Sequence, residues 1–449
     1  MRYVLCFVAF LFIACSTHKA PQKPLENQNL QKVNSPYAAL EFEQNLSILP
    51  ALNSTIKTNP QKYKTAFFAP WHSHFKQFKN TNLFWSFSGY KSGYKSGNYY
   101  FFNKQKIPLS WFNTQIKNAN IKALNSLNQK ALVVQNSILK NFPTQKAILK
   151  NPFLQGEGIP FDYASDSVLN VGSAVLISHL SLDKRYAFVM SESGFGFVER
   201  KNLELFDDRR AKIYEKLNFI TPLKEKMPIL DERGQFFFET RMGALYPYYK
   251  SDATHYYGKI GARKYKIAKK IASPFPLKLN EVNLKNQVAE LLALPYGWGG
   301  YDYERDCSLF LRDIFAAFGI YLPRNSLAQN KSFKNFDISF LSNEEKKAVL
   351  KRFAKPYATL LYMRGHIMLY AGEIDHKSVA LHSIWGLRLD EKQRLLIGQS
   401  VFTSLEIGKN QIPKENLLLS KLSHLSFLEL SDYEALELSD YLTGLKPPL

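Results

Sequence analysis

The stretch Leu294-Pro295-Tyr296-Gly297-Trp298-Gly299-Gly300, followed after Tyr301 to Arg305 by Asp306-Cys307-Ser308-Leu309-Phe310-Leu311, decides how this chain is read. A Gly-rich turn delivers the backbone to Asp-Cys-Ser, and an apolar run continues to Phe318-Gly319. Asp306 is a good helix N-cap, and Gly319 suits the position just past a helix end. Cys307 therefore falls in the first turn of a predicted helix, where the macrodipole and free N–H groups favour an anion. That setting is expected to lower the thiol pKa and make thiolate, the reactive form, available. A free cysteine is also often a small buried hydrophobe, so a base is needed before the thiol reads as a nucleophile. Two strand-like runs downstream offer one: Gly365-His366-Ile367-Met368-Leu369-Tyr370 and Val379-Ala380-Leu381-His382-Ser383.

From Pro295 to Ile407 the chain resembles the NlpC-type, papain-like cysteine peptidases that cut bacterial cell-wall peptides. Tyr296–Gly300, Asp306–Ser308 and Phe318–Ser326 meet the family's Tyr-x-Trp-Gly-Gly, Asp-Cys-Ser and Phe-Gly-Ile-x-Leu-Pro-Arg-x-Ser pattern in order. The family's catalytic histidine matches His366 within Gly365–Gly372, and its third, orienting polar residue matches His382. The resemblance implies that Cys307 attacks an amide carbonyl, with His366 as base and then acid and His382 holding the imidazole. A thioester follows, and water activated by His366 hydrolyses it. The Cys307 N–H at the helix start is a candidate oxyanion donor. Resemblance adds Tyr296 near the oxyanion, where packing beside Trp298 is the alternative role, and places Asp306 and Ser308 among the residues lining the site.

The architecture implied is α+β and multidomain: a papain-like peptidase domain preceded by two SH3-like barrels and a mixed N-terminal region. Enzymes so built resemble those that cut between γ-D-glutamate and a diamino acid, preferring stem peptides with a free L-alanine amine. In them an acid in a Leu-Pro-Arg-Asp-Ser stretch helps bind that amine. Here the stretch is Leu322-Pro323-Arg324-Asn325-Ser326. Ser326 carries over as a binding residue, whereas Asn325 brings no charge and weakens charge-assisted recognition. Arg324 suits a structural salt bridge. Two other classes stay open: a wall-peptide-binding lipoprotein without turnover, and an acyltransferase on the same fold.

With 449 residues the chain is too long for one core, and 45% hydrophobic and 14% aromatic residues can fill several. The net charge of +21 is spread without a basic arm or nucleic-acid motif, so a nucleic-acid partner is rejected. Attraction to anionic membrane or wall polymers, or general lysine usage, accounts for it. No His/Cys cluster has ligand spacing, and no metal or organic cofactor is implied.

Arg2 followed by the apolar run Tyr3 to Ile13 reads as a signal segment, too short to span a bilayer. Ala14-Cys15 resembles a bacterial lipoprotein box, with Phe12 in place of the more usual Leu. The expectation is a chain lipidated at Cys15, tethered to a membrane of the cell envelope and facing the periplasm. Ser16 points to the outer membrane. Loss of Cys6 with the signal and acylation of Cys15 leave Cys307 as the one mature thiol among the three cysteines.

The expected divisions are a signal at 1–14, a tether at 15–37, an N-terminal stabilising region at 38–150, barrels at 151–208 and 209–274, the peptidase domain at 275–420, and an acidic helix or tail at 421–449. Trp111 to Ser126 and Gln129 to Leu139 read as helices, and the tandem Tyr90–Gly93 and Tyr94–Gly97 as a loop. Phe67–Trp71 and Ser110-Trp111 resemble the family's stabilising region; Gly156–Tyr163 resembles the first barrel. Gly234, Gly243 and Gly258 are expected at turns of the second. Glu429, Asp432, Glu434, Glu437 and Asp440, with Leu at helical spacings, predict a terminal helix docked on the basic body.

Overall fold

The computed structural model describes residues 36–53, 55–79, 83–87 and 99–446. The expected signal, Cys15 and the tandem Tyr90–Gly97 lie outside them, as does all but the end of the tether. Among the described residues no helix is long and apolar enough to cross a membrane.

The apolar run after Asp306 is the helix Cys307–Ala316. The Asp306 carboxylate caps it by accepting from the Leu309 N–H, and Gly319, at φ 72°, takes the left-handed conformation beyond its end. Leu309, Phe310, Ile314 and Phe315 are all buried, each contributing about 1.5–3 kcal/mol. The helix lies against the strands His366–Ile374 and Lys377–Arg388 of a six-stranded antiparallel sheet. Its order is Lys334–Asp337, His424–Phe427, Thr359–Met363, His366–Ile374, Lys377–Arg388, Arg394–Ser404. Asp375 and His376, both at positive φ, make the two-residue turn that joins the histidine strands.

This sheet corrects one expected boundary. His424–Phe427, placed beyond the peptidase domain by the division at 420, pairs in its interior between Lys334–Asp337 and Thr359–Met363. The acidic segment after it is the helix Asp432–Gly444, started by a Ser431/Glu434 capping box and docked by buried Leu438 and Leu442. Arg352–Glu437 and Lys355–Glu434 ion pairs tie it to the body.

The first barrel is a seven-stranded sheet, and it begins earlier than position 151. Gln129–Val133 and Ser137–Lys140, read as a helix, are two of its strands. Ala131, Leu132, Val133 and Leu139 are buried, and the run pairs with Ala174–Leu180 and Leu203–Leu205. A short apolar run carries no periodicity that separates a buried strand from a buried helix. The other expected helix stops at Asn118, within Leu109–Asn118, because Asn120 and Asn125 adopt positive φ. Trp71, in the N-terminal region, donates its indole N–H to the carbonyls of Ala131 and Val175 and so seats that region on the barrel.

The second barrel runs from Asn218–Pro222 to Ala272–Pro274. Gly234 and Gly243 take positive φ there, but Gly258 lies inside the strand His255–Ile260. It is needed for closeness rather than turning, since a Cβ would sit 2.2 Å from the Pro247 carbonyl oxygen.

Candidate active site

The Gly-rich turn before Cys307 is shaped by the first barrel. Gly299 and Gly300 have φ of 64° and 83°, and a Cβ on Gly299 would stand 2.1 Å from the Ser165 carbonyl oxygen. Only glycine lets the barrel strand Ser165–Leu169 come so near. Tyr163 packs on Trp298 with centroids 4.9 Å apart, and Phe161 sits 5.8 Å from both Tyr296 and Trp385. Barrel and peptidase domain thus share an aromatic wall.

Between them lies a cavity of about 490 Å³. Tyr296, Asp306, Cys307, Ser308, Asn325 and Ser326 all line it, with Ser193 and Phe195 of the barrel and Trp85 of the N-terminal region opposite. Cys307 is a free thiol, 6% exposed.

The histidines form a relay. His366 Nε2 is 2.9 Å from His382 Nδ1, and His382 Nε2 is 3.1 Å from Thr403 Oγ1. With Nε2 engaged, Nδ1 is the His366 nitrogen left for proton exchange. If Nδ1 of His366 is to take up a proton, Nε2 must carry the hydrogen; His366 Nε2–H then donates to His382 Nδ1, and His382 Nε2–H to the Thr403 hydroxyl oxygen. His382 is wholly buried, and burial followed by its histidine neighbour holds its pKa well below the ordinary value. It orients His366 as a neutral group.

The thiol departs from the sequence expectation. Burial, then the Asp306 carboxylate, pushes the Cys307 pKa up to about 12 rather than down. The backbone amides of Ile367 and Ser308 reach the sulfur and act the other way, without overcoming the desolvation. Burial likewise takes His366 down to about 4, against the pull of Asp306. Both shifts favour the neutral thiol and the neutral imidazole.

Asp306 spends its carboxylate on structure. It caps the helix, accepts from the Gly299 N–H at 3.1 Å and the Ser308 hydroxyl at 3.0 Å, and receives both Arg324 terminal nitrogens at 3.0 and 2.6 Å. Arg324 also reaches Ser308 and Ser167, so it is a brace between domains. Asn325 caps the helix Ser326–Lys331 through its side-chain oxygen, donated to by the Ala328 N–H at 2.8 Å.

Two site residues were not read from the sequence. Thr403 stands on a strand beyond the motifs, and only the fold brings it to His382. Asp166, on the barrel wall of the cavity, had no motif to mark it; burial, opposed by the Arg324 charge and the Asn141 amide, pushes its carboxyl up to about 7. Among the described residues no group of His, Cys, Asp or Glu could hold a metal ion.

A buried thiol at a helix start, backed by a strand-borne histidine pair and roofed by a small barrel, defines a papain-like thiol hydrolase. Residues 293–386, which include Cys307, His366 and His382, match the NlpC/P60 family; residues 148–199 match an SH3 domain of SH3b1 type and 207–253 one of SH3b2 type. Residues 4–123 match the N-terminal NLPC_P60 stabilising domain. The chain belongs to the NlpC/P60 family of cysteine endopeptidases, in the branch with two SH3-type domains. An NlpC/P60 endopeptidase from Photobacterium damselae subsp. piscicida has the same fold, with TM-score 0.77 over 88% of this chain and 99% of its own at 22% identity. An NlpC/P60 family protein from Bacillus cereus aligns over 67% of this chain and 100% of its own, with TM-score 0.47 and 15% identity. Among curated proteins none matches this chain.

Proposed function

We propose that the chain is an exported cysteine endopeptidase that hydrolyses the γ-D-glutamyl–diamino acid bond of peptidoglycan stem peptides. The observation that carries this reading is the shared cavity: Cys307 opens into it, and the first barrel closes its far side. A short peptide terminus fits such a site better than a long strand. The bond itself is proposed from the resemblance to enzymes with two barrels ahead of the peptidase domain.

In the reaction, Cys307 Sγ attacks the γ-carbonyl carbon as its proton passes to His366 Nδ1. The Cys307 backbone N–H, at the helix start, is the proposed donor to the developing oxyanion. His366 then gives the proton to the leaving amine of the diamino acid, and a thioester remains. Water loses a proton to His366, adds to the thioester carbon, and releases the glutamyl carboxylate and the thiol. His382, hydrogen-bonded to Thr403, holds His366 at Nε2 and so leaves Nδ1 to carry the proton.

Free-amine selectivity, weakened by Asn325, has a second candidate group in Asp166, whose carboxyl lines the same cavity as Cys307. The lipoprotein-like box supports anchorage through Cys15, in the periplasm and at the outer membrane. The test incubates signal-free protein with free and muramoyl-linked stem peptides and follows products by mass spectrometry beside Cys307→Ala. Release of the diamino-acid fragment by wild type alone supports the reading, and the preferred peptide separates recycling of fragments from remodelling of wall. Binding without cleavage would mark a wall-peptide-binding protein, and transfer of the acyl group to an added lipid acceptor would mark an acyltransferase.

A further inference from the structure

The turn that delivers Cys307 is tied to the second barrel at three successive residues. Asp302 and Tyr303 both take positive φ, 53° and 61°, conformations that persist in side-chain-bearing residues only where surroundings impose them. Arg241 of the second barrel donates to the Tyr303 carbonyl oxygen. Lys226 pairs with the Glu304 carboxylate. Glu225 accepts from both terminal nitrogens of Arg305 at 2.9 and 3.1 Å, and is itself held by the Met242 N–H at 2.6 Å.

Arg305 is the junction. Its side chain is 2% exposed, and its Nε donates to Asp313 on the Cys307 helix at 2.7 Å. Its carbonyl oxygen accepts from the Gly297 N–H at 3.0 Å and from the Ser383 hydroxyl at 2.9 Å. Ser383 follows His382 in the chain. One residue therefore joins the second barrel, the nucleophile's helix, the Tyr296–Gly297 segment and the histidine strand. The bidentate Arg–carboxylate geometry fixes direction as well as distance.

We propose that Glu225 of the second barrel is a positioning residue for the peptidase site, which through Arg305 holds the strained turn so that Cys307 enters its helix in register with the histidine strands. The second barrel then serves the chemistry directly, whether or not it also touches the wall. This rests on Cys307 being the nucleophile, so its test includes a readout that needs no peptide substrate.

The experiment compares full-chain wild type, Glu225→Gln and Ile229→Ala, the last a cavity in the second barrel's core. Turnover of stem peptide and alkylation of Cys307 by iodoacetamide are measured at temperatures where each is folded. For Glu225→Gln the expectation is a kcat loss of about a hundredfold with little change in KM. Alkylation should become faster, because a loosened turn exposes the thiol and returns its pKa toward the ordinary value. Ile229→Ala should change neither. Equal behaviour of the two variants would reduce Glu225 to a structural group and overturn the proposal. Should Glu225→Gln fail to fold, Glu225→Asp decides: it keeps the charge but draws the carboxylate back from Arg305, and should lower kcat about tenfold while speeding alkylation. Wild-type kcat and alkylation in Glu225→Asp would also overturn the proposal. Alkylation that follows these expectations in a protein that cleaves no stem peptide would retire the proposed substrate and leave the brace standing.

Discussion

The two sides of Cys307 are built from opposite materials. On one side, His366, His382 and Thr403 form a chain of neutral groups linked by single hydrogen bonds. On the other, Asp306, Arg324, Arg305, Glu225 and Asp313 form paired charges that are almost wholly buried. The neutral side can change protonation at His366 during a reaction cycle, because hydrogen bonds rather than ion pairs hold it. The charged side cannot do so without leaving a buried ion unpaired, which makes it suitable for holding a turn in place. Chemistry and rigidity are therefore assigned to different residues around one sulfur.

Breaking the neutral side at its centre has the largest effect. His366→Gln keeps size and some hydrogen bonding but removes the base, and kcat should fall by about 10²–10⁴ with the fold intact. Circular dichroism beside stem-peptide turnover checks this. A second expectation sharpens the comparison through pH. With the thiol pushed up to about 12 and His366 down to about 4, Cys307 alkylation should rise about tenfold per pH unit from pH 6 to 9. A preformed thiolate–imidazolium pair would instead give a rate nearly flat across that range.

Breaking the charged side should cost stability first. Asp306→Asn leaves Arg324 buried beside a neutral amide, and the loss is about 3–5 kcal/mol in denaturant unfolding. Burial raises the Asp306 carboxyl, but the Arg324 charge and hydrogen bonds outweigh it, so the net shift is downward. The stability from this pair is therefore present above the unfolded carboxylate pKa and is lost as pH falls through the lower folded value. Wild-type stability should decline on acidification, and Asp306→Asn should show less of that decline.

The smallest effect belongs at the far end of the relay. Thr403→Val removes one hydrogen bond to His382, worth about 0.5–1.5 kcal/mol, and should lower kcat about threefold to tenfold. Thr403→Ser should recover it. Nitrogen chemical shifts of His382 would report the tautomer directly, with mixed tautomers expected in the Val variant alone.

What could be read from the sequence was whatever depends on residue identity and order. Cys307, His366 and His382 stand in runs whose neighbours define them, and the Asp306 cap follows from local rules. Burial could not be read, which is why the thiol was expected to be acidified. The helix start is visible in sequence, but the packing that desolvates the sulfur is not. The same limit hid Glu225, Asp166 and Thr403, since each acts on a partner brought near only by the fold. It also turned Gln129 to Leu139 from an expected helix into two strands, because its partners Ala174–Leu180 and Ser165–Leu169 come later in the chain.

The most direct test of the central claim is the mass of the intact protein, quenched in acid during turnover of a free stem peptide. The account predicts an L-alanyl-γ-D-glutamyl adduct, mapped by peptide digestion to Cys307 and absent from Cys307→Ser. Cleavage that persists in Cys307→Ser, or an adduct at any other residue, would contradict it.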